Sequence, residues 1–344
     1  MNRMMTAAGC AALGWLIAQP ALAACSLSTQ PISVTFDGGE RPIVTAKVNG
    51  RPGRFLVDSS SAVNQISGKY AASQKMAESK VGSATIAVAP KFEFAGVSLT
   101  NVQFAVSDQL GDIDGIIGQT FLHQADVEYE LGRPSLPGAP AAPSTGGRAS
   151  SSPPPSFGPA VGTVKLAKAV GCEGSNMAYW AKDGDVFYEA ALTPLANGAP
   201  FTEIEVVVNG VKMRGLFATG KAYTTITEKA AAKAGVKTTD AGVTALGGDG
   251  PAKSWKAAFN SVVIGNEEIK NEPLEIDQAS DDFYDVLIGA DFFSSHHLYV
   301  ANSQQKIYFT RTGGPGPTFK VHEQKKVPIG MALGGAGRSV PGGR

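Results

Sequence analysis

Two short segments of this 344-residue chain carry the residues whose types could do acid-base chemistry. The first is Asp58-Ser59-Ser60, at the end of the apolar run Phe55-Leu56-Val57. The second is Ala218-Thr219-Gly220, at the end of Gly215-Leu216-Phe217. A carboxylate flanked by hydroxyls can take or give a proton; it can also simply turn the chain at a strand end, where Asp is common. The two segments are copies of one pattern. Val48 to Ser60 aligns without a gap on Val208 to Gly220, an offset of 160 residues. Later, Ile113-Asp114-Gly115-Ile116-Ile117-Gly118-Gln119-Thr120-Phe121-Leu122 matches Tyr284-Asp285-Val286-Leu287-Ile288-Gly289-Ala290-Asp291-Phe292-Phe293, with the offset grown to 171 between Asp114 and Asp285.

Hairpins must position these segments. Asn49-Gly50 and Asn209-Gly210 each lie between β-rich runs, the strongest short signal for a tight antiparallel turn. Helical pattern is sparse: Thr227 to Ala234 predicts a short helix and Gly68 to Ala77 a weaker counterpart, while the remainder alternates as strands do. The fold class is therefore all-β with a few short helices, and the length suits about two domains. With 43% apolar residues, the chain can bury ordinary cores but is no multi-span membrane protein. Thirty basic residues balance thirty acidic ones, which argues against nucleic acid as a partner.

A strand ending in apolar-apolar-Asp-(Thr/Ser)-Gly, a later flap hairpin and a closing Asp-x-(Ile/Leu)-(Ile/Leu)-Gly-x-x-Phe segment identify retropepsin-like aspartic proteases. This sequence resembles a tandem, single-chain, exported bacterial form of that family over about residues 31 to 311, outside a central linker. The resemblance implies two β-barrel lobes related by a pseudo-twofold axis, with a cleft between them for an extended peptide. It also implies two carboxylates sharing one proton, because like charges about 3 Å apart cannot both ionise. One Asp comes from each lobe; the following hydroxyl braces the loops and the Gly allows a tight turn. Here Asp58 keeps the carboxylate, Ser59 the hydroxyl, and Ser60 stands where Gly is expected. Thr219 and Gly220 are kept, but Ala218 stands where the second Asp would be. One carboxylate cannot be base and proton donor at the same step, so weak or absent hydrolysis is expected. Alternatives are an active endopeptidase formed by pairing Asp58 from two chains, and a non-catalytic interaction or structural protein of the envelope. Gly247 and Gly248 fall where the flap of the second copy would be, with a shorter counterpart near Val81-Gly82-Ser83. Ser59 and Thr219 read as braces rather than nucleophiles, since no His accompanies them.

Residues 1–24 show an early positive charge, an apolar run and small residues, the order of a secretory signal. A periplasmic or secreted location is expected. Cys25 and Cys172 then remain, and read either as one disulfide or, because Leu22-Ala23-Ala24-Cys25 resembles a lipobox, as a lipidated Cys25 that would bring a membrane contact. The lobes are expected at 25–132 and 161–312, joined by a Pro/Ser/Gly-rich linker at 133–160 and followed by a disordered tail at 313–344. No cofactor is implied. His296-His297 suggests no metal site, because neighbours on a strand face opposite sides and no third ligand has a recognisable spacing.

Overall fold

A computed structural model describes residues 25–37, 40–132, 161–193, 198, 200–246, 253–278, 283–312 and 317–322. Residues 1–24, expected to be a secretory signal, residues 133–160, expected to be a linker, and Gly247-Gly248, expected at a flap, lie outside the described residues. In the first half the chain runs through β1 (Ser26–Phe36), β2 (Pro42–Val48), β3 (Arg51–Val57), β4 (Gln65–Ile66), α1 (Gly68–Ser73), β5 (Ala77–Val81), β6 (Ala84–Phe94), β7 (Val97–Val106), β8 (Gly115–Ile117), α2 (Gln119–Leu122) and β9 (Asp126–Glu130). It continues with β10 (Val161–Val170), β11 (Tyr188–Ala191), β12 (Glu203–Val208), β13 (Val211–Phe217), β14 (Thr225–Thr227), α3 (Glu228–Lys233), β15 (Thr244–Leu246), β16 (Ser254–Ile264), β17 (Glu267–Asp277), β18 (Val286–Ile288), α4 (Ala290–Ser295), β19 (His296–Ala301) and β20 (Lys306–Arg311).

Both expected hairpins form. Asn49 and Gly50 have φ of 51° and 80°, and Asn209 and Gly210 have 49° and 83°. Two successive left-handed residues make the turn whose twist matches its strands. Both expected helices form as well, capped by Ser67, which accepts from the Tyr70 amide, and Thr227, which accepts from that of Ala230.

Strands β2-β3-β8-β4-β7-β6 close into a barrel through the β2–β6 pairing, and β12-β13-β18-β14-β17-β16 close through β12–β16. From the first barrel the same sheet continues through the β1–β2 pairing into a six-stranded extension, ordered β1-β10-β9-β19-β20-β11, that takes no part in either barrel closure. It takes strands from both halves: β10 pairs with β1 and β9, and β19 pairs with β9 and β20. One apolar core runs through both barrels and this sheet. In the first barrel it centres on Phe55, Phe92 and Phe104, and in the second on Phe217, Phe292 and Phe293. Cys25 and Cys172 form a disulfide, so lipidation of Cys25 is not the state described. Within the tail expected to be disordered, residues 317–322 are placed against the second barrel. Phe319 is buried and stacks with Phe292, while the amides of Thr318 and Phe319 donate to Glu272. An aromatic anchor and satisfied amides order this stretch despite its Gly- and Pro-rich surroundings.

Candidate functional site

Each repeat delivers its motif to the same place. Strand β3 hands over to Asp58, whose amide donates to the Ile117 carbonyl at the end of β8 (3.0 Å); β13 hands over to Ala218, whose amide donates to Ile288 at the end of β18 (2.8 Å). The turns close alike, with Ser61 N donating to Asp58 O and Lys221 N to Ala218 O. Ala218 is thus the pseudo-symmetric mate of Asp58.

The next residues lock the two turns together. Ser59 Oγ donates to the Phe217 carbonyl and Thr219 Oγ1 to that of Val57, both at 2.7 Å. In return, Ser59 N donates to Thr219 Oγ1 (3.0 Å) and Thr219 N to Ser59 Oγ (3.1 Å). Both side chains are buried. Each hydroxyl both gives and accepts, so the buried pair is satisfied within the two turns. The two hydroxyls tie one turn to the other.

Asp58 leans across the lobe boundary. Its Oδ1 accepts from Ser60 N (2.8 Å), Ser60 Oγ (2.7 Å) and Gly220 N (3.2 Å). A methyl group added to Gly220 would meet Asp58 Oδ2 at 2.3 Å. The role of this glycine therefore differs from the expected one. Gly220 is not among the residues with positive φ, so it supplies room for the carboxylate rather than a left-handed turn. Ala218 faces an apolar cluster with Leu216 and Leu287, with Phe201, Phe283 and Tyr284 packed around it.

The other acids are committed elsewhere. Asp114 and Asp285 accept from the amides of Arg54 and Arg214 and fix the entries to β8 and β18. Asp291 is buried behind the second turn, accepting from the amides of Thr224, Phe292 and Lys320 and from Thr224 Oγ1. Burial pushes its carboxyl up to about 6, although these hydrogen bonds pull the other way.

One positioning group at the turns escapes the sequence. Gln119 Nε2 donates to the Ser59 carbonyl (2.7 Å) and to Thr202 Oγ1 (3.1 Å), another link between lobes. Its repeat mate is Ala290, so the pattern carries no signal for it. The histidines do diverge: His296 Nδ1 meets Phe292 O, while His297 Nε2 meets Glu128 (2.7 Å). Glu128, Glu130 and His297 could together hold a metal ion, a grouping invisible in sequence because β9 and β19 are far apart in the chain. Lys165 Nζ, 2.7 Å from Glu128 and 3.6 Å from Glu130, already places a cation there.

Residues 204–292 match the aspartyl protease family. The match runs from β12 into α4 and includes Ala218-Thr219-Gly220. A comparison with curated proteins found no match. With two closed barrels and twin turns meeting face to face, the chain is an aspartic-protease-like protein whose second lobe carries an aspartyl protease family domain.

Proposed function

We propose that this is an exported protein that binds extended peptides between its lobes and hydrolyses them weakly or not at all. The observation that carries the reading is the buried Ala218 methyl at the position symmetric to Asp58. Among the described residues, Asp58 is the only acid hydrogen-bonded to these two turns. Water attack on an amide by this route needs a base and a proton donor together, and positioned acid-base groups are worth about 10²–10⁴ in rate. The disulfide supports an oxidising compartment. Peptide binding is supported by β5, an edge strand with every residue exposed, because an extended ligand can add main-chain hydrogen bonds to such an edge.

The test is a casein-cleavage assay between pH 3 and 7 on wild type and Asp58→Asn, together with calorimetric titration by pepstatin. The expected result is pepstatin binding that Asp58→Asn weakens, with little cleavage by either protein. Brisk pepstatin-sensitive cleavage lost in Asp58→Asn would overturn the impaired-catalysis reading. A specific rate that climbs with protein concentration would assign the activity to pairing between chains. Folded protein that binds no peptide would leave an interaction or structural role.

A further inference from the structure

We infer that Ser60 occupies the place of the lost carboxylate and acts as a positioning residue for Asp58, so that the site has diverged at two coupled positions. The inference rests on the reading above that hydrolysis is impaired because Ala218 stands at the position symmetric to Asp58.

The two turns differ at residues 60 and 220, serine in one and glycine in the other. In the second turn, Asp58 lies directly over the Gly220 Cα, and a Cβ there would come within 2.4 Å of its Cγ. Glycine at 220 leaves room for the carboxylate from the other lobe that covers it, and a larger residue there would displace that carboxylate. By the pseudo-twofold relation, residue 60 would be covered by a carboxylate at 218. Ala218 has none, so the restriction on residue 60 is lifted. Its backbone, like that of Gly220, is not among the positive-φ positions, so nothing else there requires glycine.

The serine that fills this space also changes Asp58. Its hydroxyl is the nearest of three donors on Oδ1, and the Gly220 amide is another. In a symmetric site the amides of residues 60 and 220 could serve a carboxylate each; here both serve one oxygen. Oδ2 takes no hydrogen bond from the described residues. A carboxylate introduced at 218 would meet the Ser60 side chain where Asp58 meets only a glycine, and would find the Gly220 amide engaged. Removing the Ser60 side chain opens that space and releases the shortest bond holding Asp58 in place.

The test compares casein cleavage by Ala218→Asp alone, by Ala218→Asp with Ser60→Gly, and by Ala218→Asp with Ser60→Thr, which keeps a hydroxyl. The glycine double variant is expected to exceed the single variant by about ten- to a hundredfold, the scale of a hydrogen bond to a charged group. It should also gain a bell-shaped pH profile from two interacting acids, while the threonine double variant stays near the single one. Equal rates in the single and glycine double variants, including no activity in either, would overturn the inference. A second measurement does not depend on how Ala218→Asp folds. The crystal structure of Ser60→Gly alone should show Asp58 turned away from the Gly220 amide, and a carboxylate still bonded there would equally overturn it. Efficient cleavage by unaltered protein would instead defeat the underlying reading, and is told apart because it appears before any substitution.

Discussion

The Asp58 turn is held by contacts with no slack, and substitutions around it separate binding from bracing. Gly220→Ala puts a methyl group 2.3 Å from Asp58 Oδ2, closer than nonbonded atoms tolerate, so the carboxylate must swing away. We expect this variant to stay folded while losing pepstatin affinity about as far as Asp58→Asn does. Calorimetry on both proteins checks it, and an unchanged affinity would show that the position of Asp58 does not matter to the ligand. Ser59 and Thr219 should behave oppositely, since they face each other rather than the cleft. Ser59→Ala and Thr219→Val each leave buried amides and carbonyls unpaired, at a cost of about 1–3 kcal/mol each. Because the two hydroxyls share one network, the double variant should cost less than the two singles together; urea denaturation of all four proteins measures the coupling. This part of the site is readable in the sequence because duplication sets Ser59 on Thr219 at a fixed offset. Gln119 and Thr202 are not readable, because their contact crosses the lobes without a symmetric copy.

At the scale of single elements, β9 shows how a strand can serve two sides. Val127 and Tyr129 enter the common core, while Asp126 and Glu128 face the opposite side of the six-stranded extension. In sequence, Asp126 to Glu130 reads as a half-exposed alternation, yet Glu128 is fully buried. The cover is the stretch after Cys172, whose Tyr179 donates to Glu128 and whose Trp180 stacks on His297 at 3.8 Å. Nothing local predicts that cover, because the disulfide and long-range pairing bring it there. Burial works to raise the Glu128 carboxyl, but hydrogen bonds from His297, Lys165 and Tyr179 outweigh it and hold it below the usual carboxylate range. A depressed folded value adds stability above the unfolded value near 4.5, and that stability is lost as pH falls through the folded one. Asp291 has the opposite sign. With its value raised to about 6, its contribution is full below the unfolded value of 3.8 and is lost as pH rises towards 6, roughly 3 kcal/mol in all. Urea midpoints across pH 3.5 to 7.5 should therefore show a downward slope between about 4 and 6 that Asp291→Asn removes, whatever that variant's absolute stability. Persistence of the slope in the variant would place the titration elsewhere. Glu128→Gln should cost about 3–5 kcal/mol at pH 7, as the loss of one member of a buried charge network does.

On the scale of the whole molecule, the repeat made two barrels legible, and the Asn-Gly turns fixed their hairpins; the six-stranded sheet extension was not legible. Its pairs join residues as distant as Ser26 with Val170 and Leu298 with Tyr129, and no local period encodes such partners. That sheet changes the meaning of the segment between the halves. A linker joining separate lobes would have to span the distance between them, but β9 and β10 are antiparallel neighbours, with Glu130 opposite Thr163. The chain leaves and re-enters within roughly 5 Å, at two adjacent strand ends. Cohesion then comes from the common core, the ten register pairs of β1 on β10 and the Cys25–Cys172 bond, which closes a loop with a sequence separation of 147. In the chain-entropy account, a cross-link over so long a loop stabilises by about 5 kcal/mol. Replacing residues 133–160 by a short turn should therefore leave the thermal midpoint within a few degrees of the full chain. Reducing the disulfide in either form should lower it much further. If the segment acted as a spacer that lets the lobes reach each other, the shortened chain would unfold early or form swapped dimers, and scanning calorimetry with light scattering would show which.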